Sequence, residues 1–202
     1  MQHPLPKSYY QSSNVLALAR DLLGKTIVTQ FEGSRTSARI VETEAYRAPE
    51  DRGSHAFGNK RTPRTETMFE EGGIAYIYLC YGMHHLCNVV TGPQESAHAV
   101  LIRAVEPIDG IEVMSDRNGP GKWTSAMGIT TLYNGVNYWE ENSPIRIYEG
   151  ESIDSDNIVA GPRVGIKYAQ AWAHIPWRYT IRDSPYVSKP EIVKYDQTLI
   201  YS

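Results

Sequence analysis

Two carboxylates and a tyrosine recur at every second position of Ile40-Val-Glu-Thr-Glu-Ala-Tyr46. β-Branched residues and period-2 alternation predict a strand here, with Ile40, Glu42, Glu44 and Tyr46 on one face and Val41, Thr43 and Ala45 on the other. Acids two apart on a strand lie ~7 Å from each other, and at an effective dielectric of ~20 two charges there cost about 2.4 kcal/mol. A cation must offset that repulsion, and Arg39 and Arg103 are the candidates. A site that holds one such carboxylate ionised can use it as a general base. Taken alone, the same pattern describes a solvated strand face.

The residues that follow add a rim and a wall. His55 and the basic run Lys60-Arg61-Thr-Pro-Arg64 lie in residues 47–67, which are aperiodic and rich in Gly, Pro and Arg. A loop of that length within a compact domain usually serves a function. Residues 74–81 predict a strand with Tyr76 and Tyr78 on one face and Ile77, Leu79 and Tyr81 on the other. Residues 85–90 are its antiparallel return, with Tyr81-Gly82-Met83 at the tip. Residues 99–105 (AVLIRAV) predict a buried strand in which the Arg103 guanidinium needs a carboxylate, a carbonyl or a phosphate.

The remaining elements are those that position these groups. Residues 1–11 form an arm that Tyr9 and Tyr10 can pin. Ser13 or Asn14 caps a packing helix whose apolar spacing runs to Leu23, with Gly24 beyond its end. Residues 25–31 and 36–46 form a hairpin around Glu32-Gly33-Ser34, and it delivers Glu44. Glu106-Pro107 ends the buried strand, and residues 108–115 predict a short helix. Gly119-Pro-Gly-Lys122 precedes a helix over residues 123–127, whose start can sit against a phosphate with Lys122 assisting. Residues 143–148 predict a strand, 161–166 a tight turn, 168–173 a helix, 177–182 a closing strand and 184–188 a terminal turn. The fold expected is α+β: a curved, mainly antiparallel sheet with flanking helices and a protruding hairpin, all in one domain spanning residues 1–202.

Composition bounds the setting. No apolar run approaches the ~20 residues that cross a bilayer, and the first residues have no signal-peptide character, so an intracellular, cytoplasmic location without membrane contact is expected. The two cysteines make no disulfide framework. Cys80 and Cys87 would face each other across the hairpin, and with His84 and His85 they make a zinc site conceivable, but four ligands on one tight hairpin seldom reach a tetrahedron and two buried thiols are the commoner case. The net charge of −3 conceals a segregation. Residues 52–64 are basic and without acids, residues 140–157 are acidic, and residues 160–189 are basic again. For a phosphate binder the local field decides.

Several runs, in order, resemble one family: Arg39-Ile-Val-Glu-Thr-Glu-Ala-Tyr46, Ser54-His-Ala56, Met68-Phe69, Ala75-Tyr-Ile-Tyr-Leu-Cys-Tyr-Gly-Met83, Asn88-Val-Val90, Val100-Leu-Ile-Arg-Ala104, Gly119-Pro-Gly-Lys122 and Gly161-Pro-Arg-Val-Gly-Ile166. They resemble the alkyladenine (3-methyladenine, alkylpurine) DNA glycosylases over almost the whole chain. The resemblance implies a monomeric, monofunctional hydrolase that flips damaged purines from duplex DNA and cleaves the N-glycosidic bond with water, without metal or other cofactor and without lyase activity. It implies that Glu44 is the general base, with Arg103 near the water. Tyr46, His55, Tyr78 and Asn88 form the base pocket, Tyr81 with Met83 the wedge, and Lys60, Arg61, Arg64 and Lys122 the backbone contacts. The chain departs from the family pattern at Glu70-Glu71-Gly72-Gly73 and at Thr65.

The residues alone leave two other readings open. Glu42, Glu44, Asp51 and His55 could ligate a metal in a nuclease. The basic loop could serve a module that binds nucleic acid without catalysis.

Overall fold

The computed structural model of the chain describes residues 3–111, 119–190 and 192. Its longest element is the 13-residue strand β2 (Ser34–Tyr46), joined to β1 (Thr26–Phe31) by the expected tight turn. Glu32 and Gly33 there both take positive φ, 47° and 84°, the two-residue geometry whose twist matches that of the strands it joins. One edge of β2 pairs with β5 (His98–Asp109) from Ser37 to Tyr46. Along the other edge β1 covers the first part of β2, and from Glu42 onward the short strand β8 (Arg178–Ile181) takes its place. The strands β3 (Ala75–Cys80), β4 (His84–Thr91), β6 (Ile145–Tyr148) and β7 (Ile158–Gly161) complete an antiparallel sheet ordered β3-β4-β5-β2-β1-β6, with β7 beside β8. Two short helices, α1 (Val15–Asp21) and α2 (Pro120–Ala126), flank it, which gives the α+β class expected.

The strand period of two sorts the side chains onto two unlike faces. Ile77, Cys87, Val89, Val100, Ile102 and Ala45 look into the main core. Leu18, Ala19, Leu22 and Leu23 of α1 and its continuation, fully buried Trp123 of α2, and Tyr138 close that core. A seven-residue helix is not stable by itself. Its stability comes from the Asn14 cap, whose Oδ1 accepts from the Ala17 N–H at 3.0 Å, and from the apolar face it buries against β2 and β5. The opposite face of β2–β5 carries Glu44, Tyr46, Tyr76, Tyr78, Asn88, Ala99 and Leu101, and these line a cavity. A small second cluster of Ala48, Ala56, Met68, Phe69 and Val90 packs residues 47–69 over one end of that face.

Some expectations are corrected. Ile40 joins the main core rather than the face of the acids, because the pairing of β2 with β5 passes over Val41 between Ile40 and Glu42. β5 does not end at Pro107 but continues to Asp109, with Pro107 opposite Ala38 beside a register shift. The helix expected at residues 108–115 is therefore strand at its start, and residues 112–115 lie outside the described part of the chain. The helix expected from Trp123 begins at Pro120, whose fixed φ and missing N–H suit a first helical position. β7 has no counterpart in the sequence reading. The arm is held along the sheet edge, where the Leu5 N–H donates to the Ile147 carbonyl at 2.7 Å, and Tyr10 is fully buried.

The hairpin tip separates the ligands of the conceivable zinc site. Cys80 pairs with His84 and Cys87 with Ile77, so the cysteines stand on opposite sides of the sheet. Cys87 lies in the core against the Tyr138 hydroxyl at 3.1 Å, and burial pushes its thiol up to about 12. Among the described residues no helix is long and apolar enough to cross a membrane.

Candidate active site

Glu42 and Glu44 have no exposed surface, so their charges must be met within the protein. Two irregularities in the β2–β5 ladder bring the cation. Pairing passes over Val41 on β2 and then over Arg103 on β5, and bulges of this kind re-aim a side chain. The Arg103 Nε lies 3.0 Å from Glu42 Oε1 and 3.6 Å from Glu44 Oε1. Arg39, the other candidate cation, turns away and pairs with Glu106 and Glu151. The second guanidinium comes instead from Arg178 on β8, whose Nε donates to Glu42 Oε1 at 2.6 Å. Ser188, in the terminal turn, completes the shell with its N–H to Glu42 Oε2 at 2.6 Å and its hydroxyl to Oε1 at 2.9 Å. Burial pushes the Glu42 carboxyl above its ordinary range, and Arg178, Arg103 and the Ser188 N–H pull it back.

Glu44 is held differently. Its Oε1 accepts the backbone N–H of Val164 at 2.8 Å and its Oε2 accepts the Tyr46 hydroxyl at 2.7 Å. Glu44 and Arg103 border the cavity floor, whereas Glu42 lies behind them. Val164 is brought in by its neighbour Arg163. That guanidinium, fully buried, pairs with both oxygens of Asp51 at 2.5 and 2.7 Å and donates to the Ala45 carbonyl at 2.8 Å. It also lies between the rings of Tyr46 and Trp177, 4.7 and 5.2 Å from their centroids. The Asp51–Arg163 pair thus ties the loop after β2 to the turn after β7. Sequence reasoning passed over Arg163, Val164, Arg178 and Ser188 because their only signal was a basic segment and a glycine-bounded turn.

The cavity above Glu44 measures about 640 Å³, within the roughly 300–1,000 Å³ usual for small-ligand sites. Its walls are aromatic. His55 meets Tyr78 edge-on at 4.7 Å, and Tyr76 lies 5.2 Å from Tyr78. The His55 Nδ1 is 2.9 Å from the Tyr76 hydroxyl. Burial pushes the Tyr76 phenol up to about 12 against the pull of the Arg64 charge, so it keeps its proton near pH 7. Burial, helped by the Arg64 charge, lowers His55 to about 4. The imidazole is therefore neutral near pH 7. Burial and the adjacent Glu44 hold the Tyr46 phenol well above its ordinary range, so it remains a donor.

The other predicted residues divide between wall, tip and loop. Asn88 lines the cavity, and its Nδ2 donates to the Tyr76 carbonyl at 2.9 Å, which braces β4 against β3. Tyr81 stands at the cavity mouth, 86% exposed with φ 51°, and Met83 beside it is 69% exposed. Arg64 and Lys122 line the cavity, and Lys60 is exposed on the loop. Arg61 is held in the loop by Glu66 and Glu95, at 2.8 and 2.7 Å, and lies over the Phe69 ring. Thr65, where the chain departs from the family pattern, clamps this loop through the Lys60 carbonyl at 2.9 Å.

The metal-ligand reading of Glu42, Glu44, Asp51 and His55 is overturned by their partners. Asp51 is claimed on both oxygens by Arg163, and Glu42 by Arg178, Arg103 and Ser188. Among the described residues no group of His, Cys, Asp and Glu is arranged to hold a metal ion.

The profile of the methylpurine-DNA glycosylases matches residues 8–185. The chain belongs to the methylpurine-DNA glycosylase family. A protein of Chlamydia abortus is 46% identical over 189 residues, covering 88% of this chain and 97% of the relative; one of Chlamydia felis is 44% identical over 88% and 95%. A protein of Bacillus mycoides is 41% identical over 91% and 98%. All three carry the provisional name 3-methyladenine DNA glycosylase. As a methylpurine-DNA glycosylase, the chain is a DNA-repair hydrolase whose substrate is DNA carrying alkylated purines.

Two measurements test the site. Arg178→Met leaves the buried Glu42 carboxylate short of a partner and should lower the unfolding free energy by about 3–5 kcal/mol. Adding Glu42→Gln should recover part of that loss in urea denaturation. Because the folded pKa of His55 lies below its unfolded value, its contribution is complete above pH ~6.5 and is lost as pH falls toward 4. Wild-type stability should decline over that window more steeply than that of His55→Gln, and the His55 ring resonances should titrate near 4.

Proposed function

We propose that this glycosylase draws a damaged purine out of the duplex into the cavity and releases it by direct hydrolysis, with Glu44 as the general base. The observation that carries the reading is the placement of Glu44 in the floor of an aromatic cavity, fixed by the Val164 N–H and the Tyr46 O–H. Both bonds are donated to the carboxylate and hold it in one orientation. Such positioning, rather than the acid alone, makes a base effective.

In this reading the everted purine lies among Tyr46, His55 and Tyr78, with Asn88 and the neutral His55 ring near its edge. Water held between Glu44 and Arg103 attacks C1′ and gives its proton to Glu44. The C1′–N9 bond breaks with its electron pair going to the purine. Glu44 also faces the positive charge that develops on the sugar. No lysine is needed as a nucleophile, so no covalent intermediate forms and borohydride traps none. An alkylated purine that is already cationic departs as a neutral base and needs no acid.

Extruding a base costs a few kcal/mol, and a side chain left in the stack recovers part of it. Tyr81 suits that role, since it is exposed at the hairpin tip directly beside the cavity mouth. Met83 flanks it. Lys60 and Lys122 are assigned to phosphates near the mouth, Arg64 stands in the cavity wall over Tyr78, and Arg61 contributes by holding the loop that carries Lys60 and Arg64. Action as a monomer is part of this reading, and the DNA substrate puts the working enzyme inside the cell.

Glu44→Gln should lower single-turnover release of 3-methyladenine from methylated duplex by about 10²–10⁴-fold while leaving duplex affinity within a few-fold. Equal release by both proteins would remove the proposed base. Tyr81→Ala should weaken binding to lesion duplex with little change in the urea midpoint.

A further inference from the structure

Arg64 differs from the other cations of the 60–64 loop. Arg61 faces two carboxylates, but among the described residues no carboxylate pairs with Arg64. Its guanidinium instead lies 4.8 Å from the centroid of Tyr78 and forms part of the cavity wall. Tyr78 is one of the rings against which the everted base would lie. A fixed positive charge therefore stands where the charge state of that base matters.

On the hydrolytic reading proposed for this site, we infer that Arg64 is a specificity-determining residue that sets the choice between cationic and uncharged damaged purines. It has opposite effects on the two classes. A purine alkylated at N3 or N7 carries a positive charge when it enters, so Arg64 repels it in the bound state. An uncharged lesion suffers no such repulsion. When its C1′–N9 bond breaks, the electron pair moves onto the purine, and Arg64 faces negative charge that grows until a proton arrives from the attacking water by way of Glu44.

The same charge that disfavours binding of the first class thus favours departure of the second. Tyr78 contributes less attraction to a cationic base than an open ring would, because one cation already lies against it. Two unit charges ~6 Å apart at an effective dielectric of ~40 alter an equilibrium about tenfold, which sets the size of the effect.

The test compares Arg64→Gln and Arg64→Lys with the wild type on two duplexes, one carrying 7-methylguanine and one carrying hypoxanthine at the same position. Single-turnover release is measured against enzyme concentration, so that half-saturation and maximal rate are obtained separately. Arg64→Gln should raise the ratio of 7-methylguanine to hypoxanthine efficiency about tenfold, through tighter half-saturation on the first and a lower maximal rate on the second. Arg64→Lys, which keeps the charge, should stay near the wild-type ratio. An unchanged ratio in Arg64→Gln overturns the inference, even when release of both bases falls together, since a plain phosphate contact predicts that uniform loss. Absence of release of either base by the wild type would refute the hydrolytic reading itself and not only the role of Arg64.

Discussion

Two carboxylates two residues apart on one strand, both buried, are the constraint around which this protein is built. Neither charge is tolerable without partners, and the fold supplies them from four separate parts of the chain. Two irregularities in the β2–β5 ladder aim Arg103 at both acids. The replacement of β1 by β8 along β2 brings Arg178 to Glu42, and the terminal turn adds Ser188. Because each partner depends on a different element, the site is assembled only when the whole sheet is. The two acids are thereby given different roles. Glu42 is enclosed by cations and donors and serves to hold Arg103, whereas Glu44 is left with one edge toward the cavity.

The cavity follows from how the sheet divides its faces. One face is packed with aliphatic residues against α1 and α2, as an ordinary α+β core. The other face carries no such packed layer over β2 to β5 among the described residues: residues 47–69 close one end, and residues 119–122 and 164–168 border the cavity that is left. Loss of that packing must be offset elsewhere, and the buried Asp51–Arg163 pair does so by fastening the loop to the turn after β7. The same pair places Val164 against Glu44. The elements that keep the cavity open are thus the elements that orient its carboxylate.

The strand pattern made the floor legible in the sequence. Alternation gave Glu44, Tyr46, Tyr76 and Tyr78 to one side and Ile77 to the other, and both hairpins lie where turn chemistry put them. What stayed hidden is of one physical kind. Arg178, Arg163 and Ser188 lie more than a hundred residues from the acids they meet, and local periodicity says nothing about such pairs. The irregularities at Val41 and Arg103 were also invisible, because a bulge is a property of two strands together. The bulge at Val41 turns Ile40 to the face opposite the one that alternation predicts, and Arg39 finds its partners in Glu106 and Glu151. A three-residue tip pairs Cys80 with His84, which moves Cys87 to the opposite side of the sheet and leaves both thiols free, Cys87 buried.

The preference for tyrosine, 14 residues against three phenylalanines, has a structural reason in the same division of faces. A ring that borders a cavity or fills a core beside polar backbone must also satisfy a hydrogen-bonding group. Tyr46 gives its proton to Glu44, the Tyr76 hydroxyl meets the His55 Nδ1 at 2.9 Å, and Tyr138 donates to the Asn88 carbonyl at 3.0 Å from the core side. Phenylalanine would supply the same apolar area but would leave Glu44 with one donor fewer and His55 without its partner. The phenols therefore connect the aromatic walls to the charges beneath them. A change in the protonation or position of one wall residue is felt at the carboxylate, and the cavity acts as one electrostatic unit rather than as a set of stacked rings.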